Sequence, residues 1–124
     1  EFAREQDRSV VIYLDLDVPF AAEDWFESAV ECAAFLTFEL GRRDTLVRLV
    51  SQEFDVTAPG AGDIYTILKY LALVTPRKGK PQVVPDDSNS YQILLTRNRE
   101  LLLSLGWCAH PSAGRVLGAD FQKE

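Results

Sequence analysis

A chain of 124 residues is one domain by length, large enough to bury roughly two-thirds of its unfolded surface. Its 13 basic and 19 acidic residues give a net charge of −6, which disfavours nucleic acid and anionic membranes as partners. At 47% hydrophobic and 26% charged it has the balance of a globular domain. No run approaches the roughly 18 apolar residues of a membrane span, and no signal peptide is expected.

Glu1 to Arg8 are highly charged and lead into the first strand without Gly or Pro, like an entry segment cut from something longer. Val10-Val11-Ile12-Tyr13-Leu14 follows. Consecutive apolar residues rich in β-branched side chains, ending abruptly in a carboxylate, predict a central parallel strand buried on both faces. In open α/β sheets the ligand crevice lies beyond the carboxyl ends of such strands, which places Asp15 and Asp17 at the functional rim. From Ala22 to Leu40 an amphipathic helix is predicted. Trp25, Phe26, Ala29, Ala33, Leu36 and Leu40 recur at three- and four-residue spacing, opposite Asp24, Glu27, Ser28, Glu31 and Glu39. Acids crowd its start, and Gly41 followed by Arg42 and Arg43 is expected to end it.

Thr45 to Val50 and Phe54 to Thr57 read as two strands joined by Ser51-Gln52-Glu53, a link short enough for a hairpin and too short for a parallel crossover. Ala58 to Gly62 is a loop, and Asp63 is the expected N-cap of a second helix bearing Ile64, Ile67, Leu68, Leu71 and Val74, stopped by Pro76. Residues 77–90, with Pro81, Pro85 and charges at Arg77, Lys78, Lys80, Asp86 and Asp87, read as an exposed loop. Tyr91 to Thr96 is a further buried strand, Glu100 to Leu105 a short helix, and Arg115 to Gly118 a last edge strand. The fold class predicted is α/β, doubly wound and mostly parallel, with an antiparallel edge hairpin and the order hairpin edge, second, first, fourth, last.

Cys32 and Cys108 are too few for a disulfide framework, and Cys32 lies within a helical pattern as a small buried hydrophobe. His110 is the one histidine and there is no C-x-x-C spacing, so zinc is not expected and a reducing compartment is. Trp25 and Phe26 are expected to pack rather than to bind. Trp107 and Phe121 would cap a sheet edge or mark an interface, and Gly60-Ala61-Gly62 lacks the lysine and longer glycine pattern of a phosphate loop.

The charged lead-in Glu1-Phe2-Ala3-Arg4-Glu5-Gln6-Asp7-Arg8 with its strand, the Ala-rich helix, Gly41-Arg42-Arg43-Asp44, the hairpin and Gly60-Ala61-Gly62 resemble the von Willebrand factor A-like region of the bacterial "domain of unknown function 58" family. The resemblance covers about residues 1–76 and beyond them only Ile93-Leu94-Leu95-Thr96. It implies a single von Willebrand A-like (Rossmann-like) domain over 1–124, taken from a longer chain. It also implies a metal-ion-dependent adhesion site built on an Asp-x-Ser-x-Ser turn, a threonine and a second aspartate, of the oxygen-rich kind that suits Mg²⁺.

Here Asp15 is retained, Asp17 and Pro19 replace the two serines, Gly62 or Asp63 stands near the threonine, and Arg97 falls near the second aspartate. Asp15, Asp17 and Asp63 are thus the remnant of a degenerate site, with Asp15 paired to Arg97, and the interaction rim is Asp15, Asp17, Pro19, Gly62, Asp63 and Arg97. No catalytic residue and no cofactor are expected, and any Mg²⁺ bound there would be held weakly. The resemblance further implies a non-catalytic protein-protein interaction domain, an adaptor for a MoxR-type AAA+ ATPase. It would lie on the cytoplasmic side of a parent anchored in the bacterial inner membrane. The enzymatic alternative is a haloacid-dehalogenase-like phosphatase, with Asp15 as nucleophile and Asp17 as acid and base. Against it, Pro19 stands where threonine or valine is wanted, and no lysine is clearly placed to hold phosphate. A two-component receiver fits less well, because Asp55 lies in a short edge-like strand and Arg97 and Arg99 stand where lysine is needed.

Overall fold

Strand β1 (Ser9–Leu14) lies at the centre of a five-stranded sheet, flanked by β2 (Leu46–Val50) and β4 (Tyr91–Leu95), with β3 (Asp55–Ala58) and β5 (Gly114–Leu117) at the edges. The computed structural model describes residues 9–18, 20–43, 45–58, 63–76, 78–79, 91–96, 99–104 and 114–117. The order β3-β2-β1-β4-β5 is the one expected from the sequence: β1 is parallel to β2 and β4, β4 is parallel to β5, and β2 and β3 run antiparallel. Val11, Ile12, Tyr13 and Leu14 are all buried, which is why the run carries no alternation of polar side chains.

The pleat sends alternate residues to two cores. Ile12, Leu14, Val47, Leu49, Ala58, Ile93 and Leu95 meet helices α1 (Glu23–Arg42) and α2 (Ile64–Leu73) on one face. Val11, Tyr13, Val50 and Leu94 meet Leu102 of the short helix α3 (Arg99–Ser104) on the other. The chain is thus an α/β fold around a mostly parallel mixed sheet.

Helix α1 follows a single 3₁₀ turn, Phe20–Ala22, and carries Glu23 and Asp24 in its first turn and Arg42 in its last, each favourable to the helix dipole. Trp25, Phe26, Ala29 and Ala33 are buried as their spacing predicts, whereas Leu36 and Leu40 are half-buried. The expected stop at Gly41 is corrected. The helix runs on to Arg42, and Gly41 serves as a close-approach residue, since a Cβ there would come within 2.5 Å of the Ile64 side chain of α2. Cys32 is half-buried and burial pushes its thiol pKa up, as for an inert packing residue.

Thr37 is fully buried, and its hydroxyl has no hydrogen-bond partner among the described residues. An unpaired buried hydroxyl costs free energy that an isosteric methyl does not. Thr37→Val is therefore expected to stabilise the chain by about 1 kcal/mol, raising Tm by roughly 3–5 °C. A thermal melt showing no rise would mean that the hydroxyl has a partner after all.

Helix α2 starts where expected, with the Asp63 side chain accepting from the Thr66 backbone N–H at 3.1 Å, and it ends before Pro76 at the cap residue Val74. Of the loop expected at 77–90, Lys78 and Gly79 are exposed, and residues 77 and 80–90 lie outside the described residues. The readings for Gly60, Arg97, Trp107, Cys108, His110 and Phe121 also fall outside them.

Candidate functional site

Because β1, β2 and β4 are parallel and in register, the residues just past their carboxyl ends stand in one rank. Tyr13 pairs with Val50 and Leu14 with Leu95, so Asp15, Gln52 and Thr96 come side by side at the central rim. The hydrogen bonds follow from that alignment. Asp15 Oδ1 accepts from Gln52 Nε2 at 2.8 Å and from the Asp17 backbone N–H at 3.1 Å, while Oδ2 accepts from the Thr96 hydroxyl at 2.6 Å. The backbone N–H of Asp15 continues the sheet by donating to Leu95 O at 3.0 Å.

Gln52 also accepts from the Leu16 N–H at 2.9 Å, so one side chain pins both the carboxylate and the backbone of the β1–α1 connection. Its amide further reaches the Gly79 carbonyl at 3.4 Å. Asp15 is only 3% exposed and Thr96 2%, whereas Asp17 faces solvent. The turn is fixed by its own backbone: the Val18 N–H donates to Leu16 O at 2.9 Å, and the Asp15 side chain grips the residue two ahead, as Asp commonly does in tight turns.

Asp63, expected beside Asp15, is corrected. β3 runs antiparallel, so Ala58 pairs with Val47 at the amino-terminal end of the parallel strands, and α2 begins there, against the last turn of α1. Only at Tyr70 does α2 reach the rim end, where Tyr70 meets Ser51. Asp63 caps its own helix at the far end of the sheet and cannot join Asp15 and Asp17. Pro19, Gly62 and Arg97, with the expected Asp15–Arg97 pair, lie outside the described residues.

A second polar cluster ties the hairpin turn to α2. The Tyr70 hydroxyl donates to Glu53 Oε2 at 2.8 Å, which leaves the buried Ser51 hydroxyl to donate to Tyr70 at 2.8 Å while accepting from the Glu53 N–H at 3.3 Å. The Tyr70 ring stacks on Phe54 with centroids 3.9 Å apart. Beside it runs an open groove of about 510 Å³ walled by Glu53, Lys69, Tyr70 and Leu73. The Arg48–Asp55 pair, bidentate at 2.8 and 2.7 Å, closes the hairpin on its other side.

Sequence reasoning missed Gln52 and Thr96. Register was the signal that could have found them, because aligning the ends of three adjacent parallel strands puts both beside Asp15. Among the described residues, no three His, Cys, Asp or Glu side chains group as a metal site, and no helix is long and apolar enough to cross a membrane. Comparison of the chain with protein-family models, curated proteins and solved structures finds no match in any of the three.

Proposed function

We propose that this chain is a non-catalytic protein-protein interaction domain whose rim descends from a von Willebrand A-type adhesion site and no longer serves metal chemistry. The observation that carries this reading is the state of Asp15. Its carboxylate is buried, and both oxygens are taken up by Gln52, the Asp17 N–H and Thr96. A metal ligand or an attacking nucleophile must reach a cation or a phosphorus atom, and at Asp15 it would have to do so through the one acceptor site left, on Oδ2, in a position almost closed to solvent. Asp17 remains as the exposed acid of the rim. Strand order and the antiparallel edge hairpin support the von Willebrand A-like reading of the fold.

The acidic rim and net charge of −6 suit a partner with a basic docking face, and the family resemblance makes that partner a MoxR-type AAA+ ATPase met on the cytoplasmic side of a membrane-anchored parent. With Mg²⁺ present, the purified chain is expected to hydrolyse phosphomonoesters no faster than its Asp15→Asn variant, and calorimetry should find no micromolar Mg²⁺ or Mn²⁺ site. Asp17→Arg should weaken binding of the ATPase about tenfold. Asp15-dependent turnover would replace this reading with the phosphatase. ATPase binding that ignores Asp17 would remove the rim from the interface.

A further inference from the structure

Helix α1 carries an exposed stripe along its outer side. Glu31, Phe35, Phe38 and Arg42 follow one another at spacings of four, three and four, which puts all four on one line along the helix. All are exposed, Phe35 to 63% and Phe38 to 42% of their surface. Arg42 bonds to Glu39 at 3.0 Å and lies over the Phe38 ring, 5.9 Å from its centroid.

Read from either end, the stripe complements itself. Turned about a two-fold axis between residues 36 and 37, Phe35 falls on Phe38 and Glu31 falls on Arg42. A two-fold interface requires this, because each contact of residue i with residue j is repeated as j with i. A chain of net charge −6 repels its own copies overall, yet across this axis the acid of each stripe faces the base of the other, with Glu39 beside Arg42.

We infer that the Glu31–Phe35–Phe38–Arg42 face of α1 pairs antiparallel with the same face of a second copy, forming a weak homodimer. Two aromatic residues per copy make a small interface, so a Kd of roughly tens to hundreds of micromolar is expected. The interface lies on α1, away from the rim, and stands or falls independently of the function proposed above.

Sedimentation velocity of the 124-residue chain between about 10 μM and 1 mM tests it, a range that brackets the Kd expected for so small a patch. A monomer–dimer equilibrium is expected for the wild type, and Phe35→Asp should leave monomer throughout. Glu31→Arg and Arg42→Glu should each weaken dimerisation about tenfold or more, because each brings like charges together twice per dimer. The double variant Glu31→Arg/Arg42→Glu, and an equimolar mixture of the two single variants, should restore it. Residues 31 and 42 are about 16 Å apart along one helix, so such rescue can arise only between copies. Circular dichroism confirms that these surface variants are folded. A wild type that stays monomeric at the highest concentration, a dimer indifferent to the single exchanges, or a double variant that fails to recover would each overturn the inference.

Discussion

Asp15→Ala is expected to destabilise the chain by about 2–4 kcal/mol, and Asp15→Asn by only about 1–2 kcal/mol. Alanine strands the Gln52 amide, the Asp17 N–H and the Thr96 hydroxyl at a position that is almost completely buried. Asparagine can keep its oxygen on the two N–H donors and turn its own NH₂ toward Thr96, whose hydroxyl rotates to accept. The order of the two costs therefore reports on hydrogen bonding, and their sign reports on function. A carboxylate held for catalysis or metal binding is commonly a strain on the fold, so removing it raises stability. Urea unfolding of the two variants decides the matter: a gain from either substitution would contradict the structural role given to Asp15. Gln52→Ala should cost a similar amount and combine less than additively with Asp15→Ala, because the same bond is lost in both.

The central strand, the hairpin and the strand order were legible in the sequence because each depends on a local signal. An unbroken apolar run means burial on both faces, and a three-residue link means antiparallel pairing. The two amphipathic helices were equally legible, down to the Asp63 cap. The rim was legible only in part. Asp15 stands out because it interrupts an apolar run, but its partners Gln52 and Thr96 are 37 and 81 residues away, and ordinary polar residues after a strand carry no mark of their own. Asp63 was misplaced for a related reason. The antiparallel β3 returns the chain to the opposite end of the sheet, so an acid that the family resemblance put at the rim lies one sheet length away from it. Gly41 was misread as a helix stop, because nothing in an amphipathic pattern tells which neighbour a residue will meet.

Phe26→Ala is expected to have the largest effect of any single truncation proposed, about 3–5 kcal/mol. Phe26 is 2% exposed in a core shared with Ile12, Leu14, Trp25 and Leu95. Ala29 and Ala33, both completely buried, let the helix backbone lie close to the sheet, so the first turns of α1 depend on the two aromatic residues for their apolar contact. Losing the ring leaves a cavity that neighbours already in contact with the sheet can fill only partly. The denaturation midpoint should fall while the m-value stays unchanged, which marks lost stability rather than a changed unfolded state. Phe35→Ala and Phe38→Ala, on the outer side of the same helix, should each change monomer stability by less than about 0.5 kcal/mol, as surface positions do. The three variants are compared at about 1 μM, well below the roughly tens to hundreds of micromolar expected for the homodimer Kd, so that association adds almost nothing to the wild type. If Phe26→Ala cost no more than Phe35→Ala, Phe26 would not be part of the core, and a binding role for the aromatic pair at the start of α1 would have to be reconsidered.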